Sequence, residues 1–246
     1  VGHGEVDDLR PAGLADLDDV VPQHVGRRPP SQLGVVEQFG GKLLSDDGKT
    51  AYLNSPEAVK ALTLWRDVTK ATGDPKTTMN TPSNPNQDFI DGRTAMWVTG
   101  PWATSQIRQS QIKDGFTVVS YPQVDPAKPH TIVYGWMWGV NKAKPEAQKI
   151  VAWDFIRFML SKPEEWLAKV AFVQPVKGVN ETAVAKSFPF FDAHMKDVAT
   201  ATWYIRSEFT NEIGQAVGRA IERTVYDGVD PKASLDQAQA EIDKVL

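Results

Sequence analysis

Asp88 and Asp91 lie three residues apart and can share one helix face, as the acid/base pair of a glycosidase would. Glu208 is a further carboxylate, set among aromatic and polar residues. A carbohydrate-active enzyme built on these groups is one reading of the sequence. The plainer reading puts the two aspartates on the polar side of a helix end. The four histidines, His3, His24, His130 and His194, are far apart. None has metal-ligand spacing with another, and a surface or loop role suits each. The chain lacks a Gly-rich phosphate loop, HExxH, GxSxG and an EF-hand loop, so no catalytic motif, metal or cofactor is implied. Asn180-Glu181-Thr182 has the form of a glycosylation acceptor, a motif too short to be specific.

Aromatic residues beside polar groups offer a different chemistry. Trp102 follows Gly100-Pro101; Tyr134-Gly135-Trp136-Met137-Trp138-Gly139 sets aromatics between glycines; Trp203, Tyr204, Arg206 and Glu208 precede a long amphipathic stretch. A pyranose has C–H faces that pack on an indole and hydroxyls that need oriented donors and acceptors. Trp with Arg, Glu and Asn meets those needs. The competing reading places Trp102 in a strand–turn–helix corner as core, and turns Trp136 and Trp138 inward as alternate residues of a strand. Spacing alone leaves both open.

Composition narrows the partners. The 246 residues, 41% hydrophobic and 24% charged, suffice for one large domain or two small ones. A net charge of −4 with scattered basic residues argues against nucleic acid or an anionic membrane as partner. Zero cysteines removes disulfides, zinc-thiolate sites and cysteine nucleophiles without fixing the compartment. No apolar run approaches the roughly 18 residues of a membrane span, and no signal segment opens the chain.

The elements that must position these residues follow from local pattern. Residues 1–30 hold Gly, Pro, Asp and Arg but no aromatic, and read as a disordered or non-native extension. Ser55-Pro56-Glu57 opens a helix with Val59, Leu62, Trp65 and Val68 on one face. Residues 74–85 are a loop. Gly92 suits the left-handed end of a helix, Thr94–Thr99 a strand, Gly100 a sharp turn, and Pro101 the start of a helix continuing to Lys113. Residues 116–121 and 131–140 read as strands. Pro145 opens a helix striped with Ala147, Ile150, Val151, Phe155, Phe158 and Met159. Ser161-Lys162-Pro163-Glu164 and Ser234-Leu235-Asp236-Gln237 suggest capping boxes. Phe209, Ile213, Val217, Ala220, Ile221 and Thr224 line a long helix, and Leu235, Ala238, Ile242 and Val245 the last one. The fold class is α/β and helix-rich.

One run, Phe89-x-x-Gly92-x-Thr94-Ala95-Met96-x-x-x-Gly100-Pro101-Trp102-Ala103, resembles the signature of family 1 extracellular solute-binding proteins, the group of maltose-binding protein. Companion pieces follow in the family's order: Phe39-Gly40-Gly41, Asn54-Ser55-Pro56-Glu57-Ala58, Gly135-Trp136-Met137-Trp138-Gly139-Val140-Asn141, Trp153-Asp154-Phe155-Ile156, Gln174-Pro175-Val176 and Ala233-Ser234-Leu235-Asp236-Gln237-Ala238. The likeness covers about Ser31 to Leu246. It implies a periplasmic-binding-protein type II architecture whose two lobes close on a solute, with delivery to the membrane permease of an ABC importer. It implies a sugar or polyol ligand, a periplasmic or extracellular location, no enzymatic activity and no membrane insertion of this chain. It puts the sugar-stacking role on Trp102, with Gly135, Trp136, Trp138, Trp203, Tyr204 and Arg206 facing the same cleft.

The chain also departs from that pattern. The family has an amino-terminal lobe ahead of anything like Phe39-Gly40-Gly41, and the 38 residues here do not resemble it. The expectation is a carboxy-terminal portion: residues 31–130 and 177–246 in one lobe, and 131–176 returning to an amino-terminal lobe that is largely missing. Apolar surface should then be exposed where that lobe would pack.

Overall fold

Stretches of apolar periodicity become helices where one face can be buried, and this holds along most of the chain. The structure, a computed structural model, describes residues 29–71, 85–113, 115–203 and 207–246. The expectation of a disordered extension at 1–30 falls almost wholly outside them, as does most of the expected 74–85 loop. Contacts divide the chain into two compact units: Val1–Val98, Tyr121–Ile132 and Thr200–Leu246 form the first, and Thr99–Ser120 and Val133–Ala199 the second.

The first unit is built on helices α1 (Pro29–Gln38), α2 (Pro56–Ala71) and α3 (Pro85–Ile90), with two further helices from its last segment. Ser55 caps α2 by accepting from Ala58 N at 3.2 Å, with Pro56 opening the helix. The buried face of α2 is Ala58, Ala61, Leu62 and Thr69, rotated from the expected stripe, so that Val68 is exposed. Gly92 ends α3 at φ +73°, as its position suggested, and Arg93 N closes the turn on Asp88 O at 2.9 Å.

The two carboxy-terminal helices supply the heart of this unit's core. In the longer, Thr210–Val225, Ile213, Ala216, Val217, Ala220, Ile221, Thr224 and Val225 are buried, close to the expected stripe. The last helix, Pro231–Ile242, buries Leu235, Ala238 and Ile242 but leaves Val245 beyond its end exposed. Its cap is Asp230, which accepts from Ala233 N at 3.1 Å; Ser234, read from sequence as the cap, is buried inside the helix.

Polar ties fasten α1 to the loop 121–130 and to the two-stranded sheet of β1 (Thr131–Val133) and β2 (Ala201–Trp203). The Gln38 amide donates to Pro122 O at 3.2 Å and His130 O at 3.1 Å and accepts from Val124 N at 2.8 Å. His130 pairs with Glu37, which also accepts from Thr202 Oγ1 at 2.6 Å. His130 is thus a joint between three segments and not the bare loop histidine suggested by its neighbours. Gln38→Ala should cost about 2 kcal/mol in urea denaturation, because three backbone groups lose their partner at once. An unchanged midpoint would refute that accounting. In the same loop, burial pushes the Tyr121 phenol from 10.0 up to about 12. The unfolded chain then deprotonates first, so stability is whole below pH 10.0 and falls as pH rises toward about 12, by ~3 kcal/mol in all. Tyr121→Phe should flatten that alkaline decline in denaturation measured across the same range.

The second unit carries α4 (Trp102–Arg108), α5 (Glu146–Leu160), α6 (Pro163–Val170), a 3₁₀ turn at Val179–Glu181, α7 (Ala183–Ser187) and α8 (Phe191–Val198). The remaining pair, Thr210–Val225 and Pro231–Ile242 of the first unit, are α9 and α10 in chain order. Leu167, Ala185 and Phe191 form the small core of the second unit, with Val173, Val184, Phe188 and Met195 against it. Several local expectations fail here. α4 stops at Arg108, short of Lys113. Ser161 does not cap α6: its hydroxyl donates back to Phe158 O at 2.7 Å, and Lys162 takes the cap position without a side-chain bond. His194, expected in a surface or loop role, sits in α8 partly buried, and that burial holds it below its ordinary pKa.

The largest difference lies in the strands. Residues 94–99 and 116–121 join no ladder, and of 131–140 only Thr131–Val133 pairs. A strand needs a neighbour's N–H and C=O groups, which local propensity cannot supply. Along these segments Met96, Val98 and Val119 are exposed. In α5 only Ile156 is buried, while Ile150, Val151, Trp153, Phe155 and Phe158 face outward. An apolar helix face left in water marks a surface made for a partner.

Candidate functional site

The run Gly100-Pro101-Trp102 folds as a corner whose geometry explains each residue type. Pro101 already has helical dihedrals, φ −58° and ψ −25°, directly ahead of α4. Ala103 N bonds Gly100 O at 3.2 Å and Thr104 N bonds Pro101 O at 3.0 Å, so the turn closes without the N–H that proline lacks. Gly100 is required for a reason that spacing did not reveal. The Trp102 ring folds back over it, and a Cβ built at Gly100 would lie 1.9 Å from Trp102 Cζ3. The glycine makes room for the indole, a close-approach role beside the turn expected of it.

The indole is held on two further sides. It stacks on Phe172 with ring centroids 6.4 Å apart and 23° between planes, and meets the edge of Tyr134 at 5.9 Å and 63°. Trp102 is half-buried, whereas Ala103, Thr104 and Ile107 behind it are buried and anchor α4. The result is an aromatic surface fixed by packing, neither a fully enclosed core tryptophan nor a free one. Gln174, two residues past Phe172, is buried, and its Oε1 has no hydrogen-bond partner.

Phe172 went unnoticed in the sequence. Ala171 ends α6 in the left-handed region at φ 57°, its N–H bonding Leu167 O while Phe172 N bonds Trp166 O, and thereby turns the chain to deliver Phe172. Alanine is a poor residue for that conformation, so nothing local announced the turn. Tyr134 stood in the quoted Tyr134–Gly139 run, but only the fold singles it out as a neighbour of Trp102.

The other expected site residues are dispersed. Gly135 is exposed and Trp136 is 78% exposed, without a ring partner among the described contacts. Trp138 lies edge-on to Phe155 of α5 at 5.9 Å, so neither tryptophan is core. Trp203 ends β2 in the first unit and is 56% exposed. Tyr204 and Arg206 lie outside the described residues.

The carboxylates have other partners. Arg93 Nε donates to Asp88 Oδ1 at 2.8 Å, and Arg93 Nη1 sits 2.9 Å from Asp91 Oδ2. Asp91 also accepts from Gln87 Nε2 at 2.7 Å. An arginine shared by both aspartates occupies the carboxylates that a glycosidase acid/base pair would need for its substrate. Glu208 is exposed. Among the described residues no three His, Asp or Glu side chains gather as a metal site, and no helix is long and apolar enough to cross a membrane.

Residues 13–193 match the family of bacterial extracellular solute-binding proteins. The chain belongs to that family. Its fold is similar to solved structures of such proteins. Against maltose-bound MalE3 of T. maritima the TM-score is 0.76 at 20% identity, covering 87% of this chain and 56% of the other. The GacH receptor of Streptomyces glaucescens, solved unliganded and with acarbose, gives 0.76 at 19% identity, covering 90% and 57%. An ABC transporter solute-binding protein of Agrobacterium radiobacter K84 in complex with ribitol gives 0.71 at 26%, covering 87% and 56%. This chain therefore spans between half and two thirds of the length of those structures. The fold is the type II architecture of periplasmic binding proteins, here helix-rich and with few paired strands. Family membership weighs against the glycosidase reading, as does the pairing of Asp88 and Asp91 with Arg93.

Proposed function

We propose that this chain is part of the sugar- or polyol-binding component of an ABC importer, acting outside the cytoplasm and handing its solute to a membrane permease. The observation that carries this reading is the Trp102 surface, backed by Phe172 and Tyr134 and seated over Gly100. An indole held in place loses little conformational entropy when a sugar ring stacks on it. Gly135, Trp136 and Trp138, in the same unit as Trp102, are proposed as further contacts to the solute, and Gln174 Oε1 as an acceptor for a hydroxyl. The solutes named for the neighbouring structures, maltose, acarbose and ribitol, fit this chemistry.

The remaining length of the protein supplies the other wall of the cleft. The outward apolar face of α5 supports it, since Ile150, Val151, Phe155 and Phe158 are surface that additional chain would cover. Titration calorimetry with a panel of sugars, polyols and glycerol phosphate, on protein extended to the length of its relatives, tests the proposal. Saturable binding of a panel member is expected. No binding across the panel would sink it, and turnover of a glycoside lost in Asp88→Asn or Asp91→Asn would favour the enzyme instead.

A further inference from the structure

The run Tyr134-Gly135-Trp136-Met137-Trp138-Gly139 lies just past β1 and belongs to no helix or strand. Met137 is 94% exposed, more than any other large apolar residue described, and stands between the exposed Trp136 and Trp138. Small solutes therefore reach its thioether from nearly every direction. The other methionines described are more sheltered. Met96 is 68% exposed, Met159 is half-buried on α5, and Met195 packs against the core of Leu167, Ala185 and Phe191. The chain has no cysteine, so no thiol of its own competes for an oxidant.

We infer that Met137 is a redox modification site: a hydroperoxide converts it to the sulfoxide, and the sulfoxide weakens solute binding at Trp136 and Trp138. The sulfur lone pair attacks one oxygen of hydrogen peroxide and the O–O bond breaks. A proton shift between the two oxygens lets water leave. Sulfur loses two electrons and the peroxide gains them, so the step needs no further reagent. It does need a sulfur open to solvent, which Met137 has and Met195 lacks. A thioether is apolar and polarisable, whereas a sulfoxide carries a strong hydrogen-bond acceptor and a new stereocentre. That oxygen and its bound water enter between two indoles whose use to a sugar ring is apolar stacking. Reduction of the sulfoxide restores the thioether, so the change is reversible. The effect on binding rests on the sugar- or polyol-binding reading; the site of oxidation does not.

Treating the chain with hydrogen peroxide and following its peptides by mass spectrometry reads the site. Met137 should gain one oxygen at least about fivefold faster than Met159 and Met195, with Met96 between them. Met159 or Met195 oxidised as fast as Met137 would overturn the inference. Calorimetry on protein extended to the length of its relatives, with the tightest solute of the panel, reads the consequence. The oxidised parent should bind about tenfold more weakly, and methionine sulfoxide reductase should restore its Kd. Met137→Gln, polar and of similar length, should show the same loss without oxidant, whereas Met137→Leu should keep its Kd through peroxide treatment. An unchanged Kd in parent protein shown by mass to be oxidised at Met137 would also overturn the inference. A parent that binds no panel member before oxidation sinks the sugar-binding reading and the effect on binding with it; the order of oxidation in the chain then still decides the site.

Discussion

Trp102→Ala should weaken sugar binding by about 30-fold or more, the ~2 kcal/mol scale of an interface hot spot. The fold has already positioned this indole, with Phe172 on one ring plane and Tyr134 at its edge. Its loss removes the stacking surface and leaves those two rings without support. Gly100→Ala makes a sharper companion. Every indole atom is retained, but a Cβ 1.9 Å from Trp102 Cζ3 forces the ring away from its seat. The expected loss is of the same order, so position and not mere presence of the tryptophan is what is measured. Calorimetry on the extended protein with the tightest ligand of the panel reads both variants. Should either retain the parent's Kd, Trp102 is not the sugar platform.

Ile213→Ala should destabilise the chain by ~3 kcal/mol in urea denaturation, the usual cost of a large-to-small change at a fully buried position. Ile213 has 0% exposure and packs in the core that joins α9 to α2 and α10. The informative contrast is on α5. Ile150→Ala and Phe158→Ala remove equally apolar side chains that are 55% and 62% exposed, and each should change stability by less than about 0.5 kcal/mol. If they cost as much as Ile213→Ala, the α5 face is buried in solution and the reading of an uncovered surface is wrong.

Helix faces were legible because their signal is local. The stripe of α9 from Ile213 to Thr224, the start of α2 at Ser55-Pro56 and the end of α3 at Gly92 all follow from spacing and cap chemistry. Motif order from Phe39-Gly40-Gly41 to Ala233–Ala238 pointed to the family that the match over residues 13–193 then established. Both capping boxes misled for one reason: Ser161 and Ser234 have the right neighbours, but the backbone enters those helices at other residues, Lys162 and Asp230. A cap depends on where the chain turns, which the box pattern does not determine.

What the sequence determined by itself is the solute-binding family, the helical faces that bury a core, and the candidacy of Trp102. Tertiary structure decided the rest. Strand propensity in residues 94–99 and 116–121 stays unrealised because ladder partners come from elsewhere in a fold. It brought Phe172 to Trp102 through a left-handed alanine, and gave Gly100 its purpose as the seat of an indole. It turned His130 into a joint with Glu37 and Thr202, and occupied Asp88 and Asp91 with Arg93. Periodicity reports which face of an element is apolar. Only three-dimensional packing reports what that face meets.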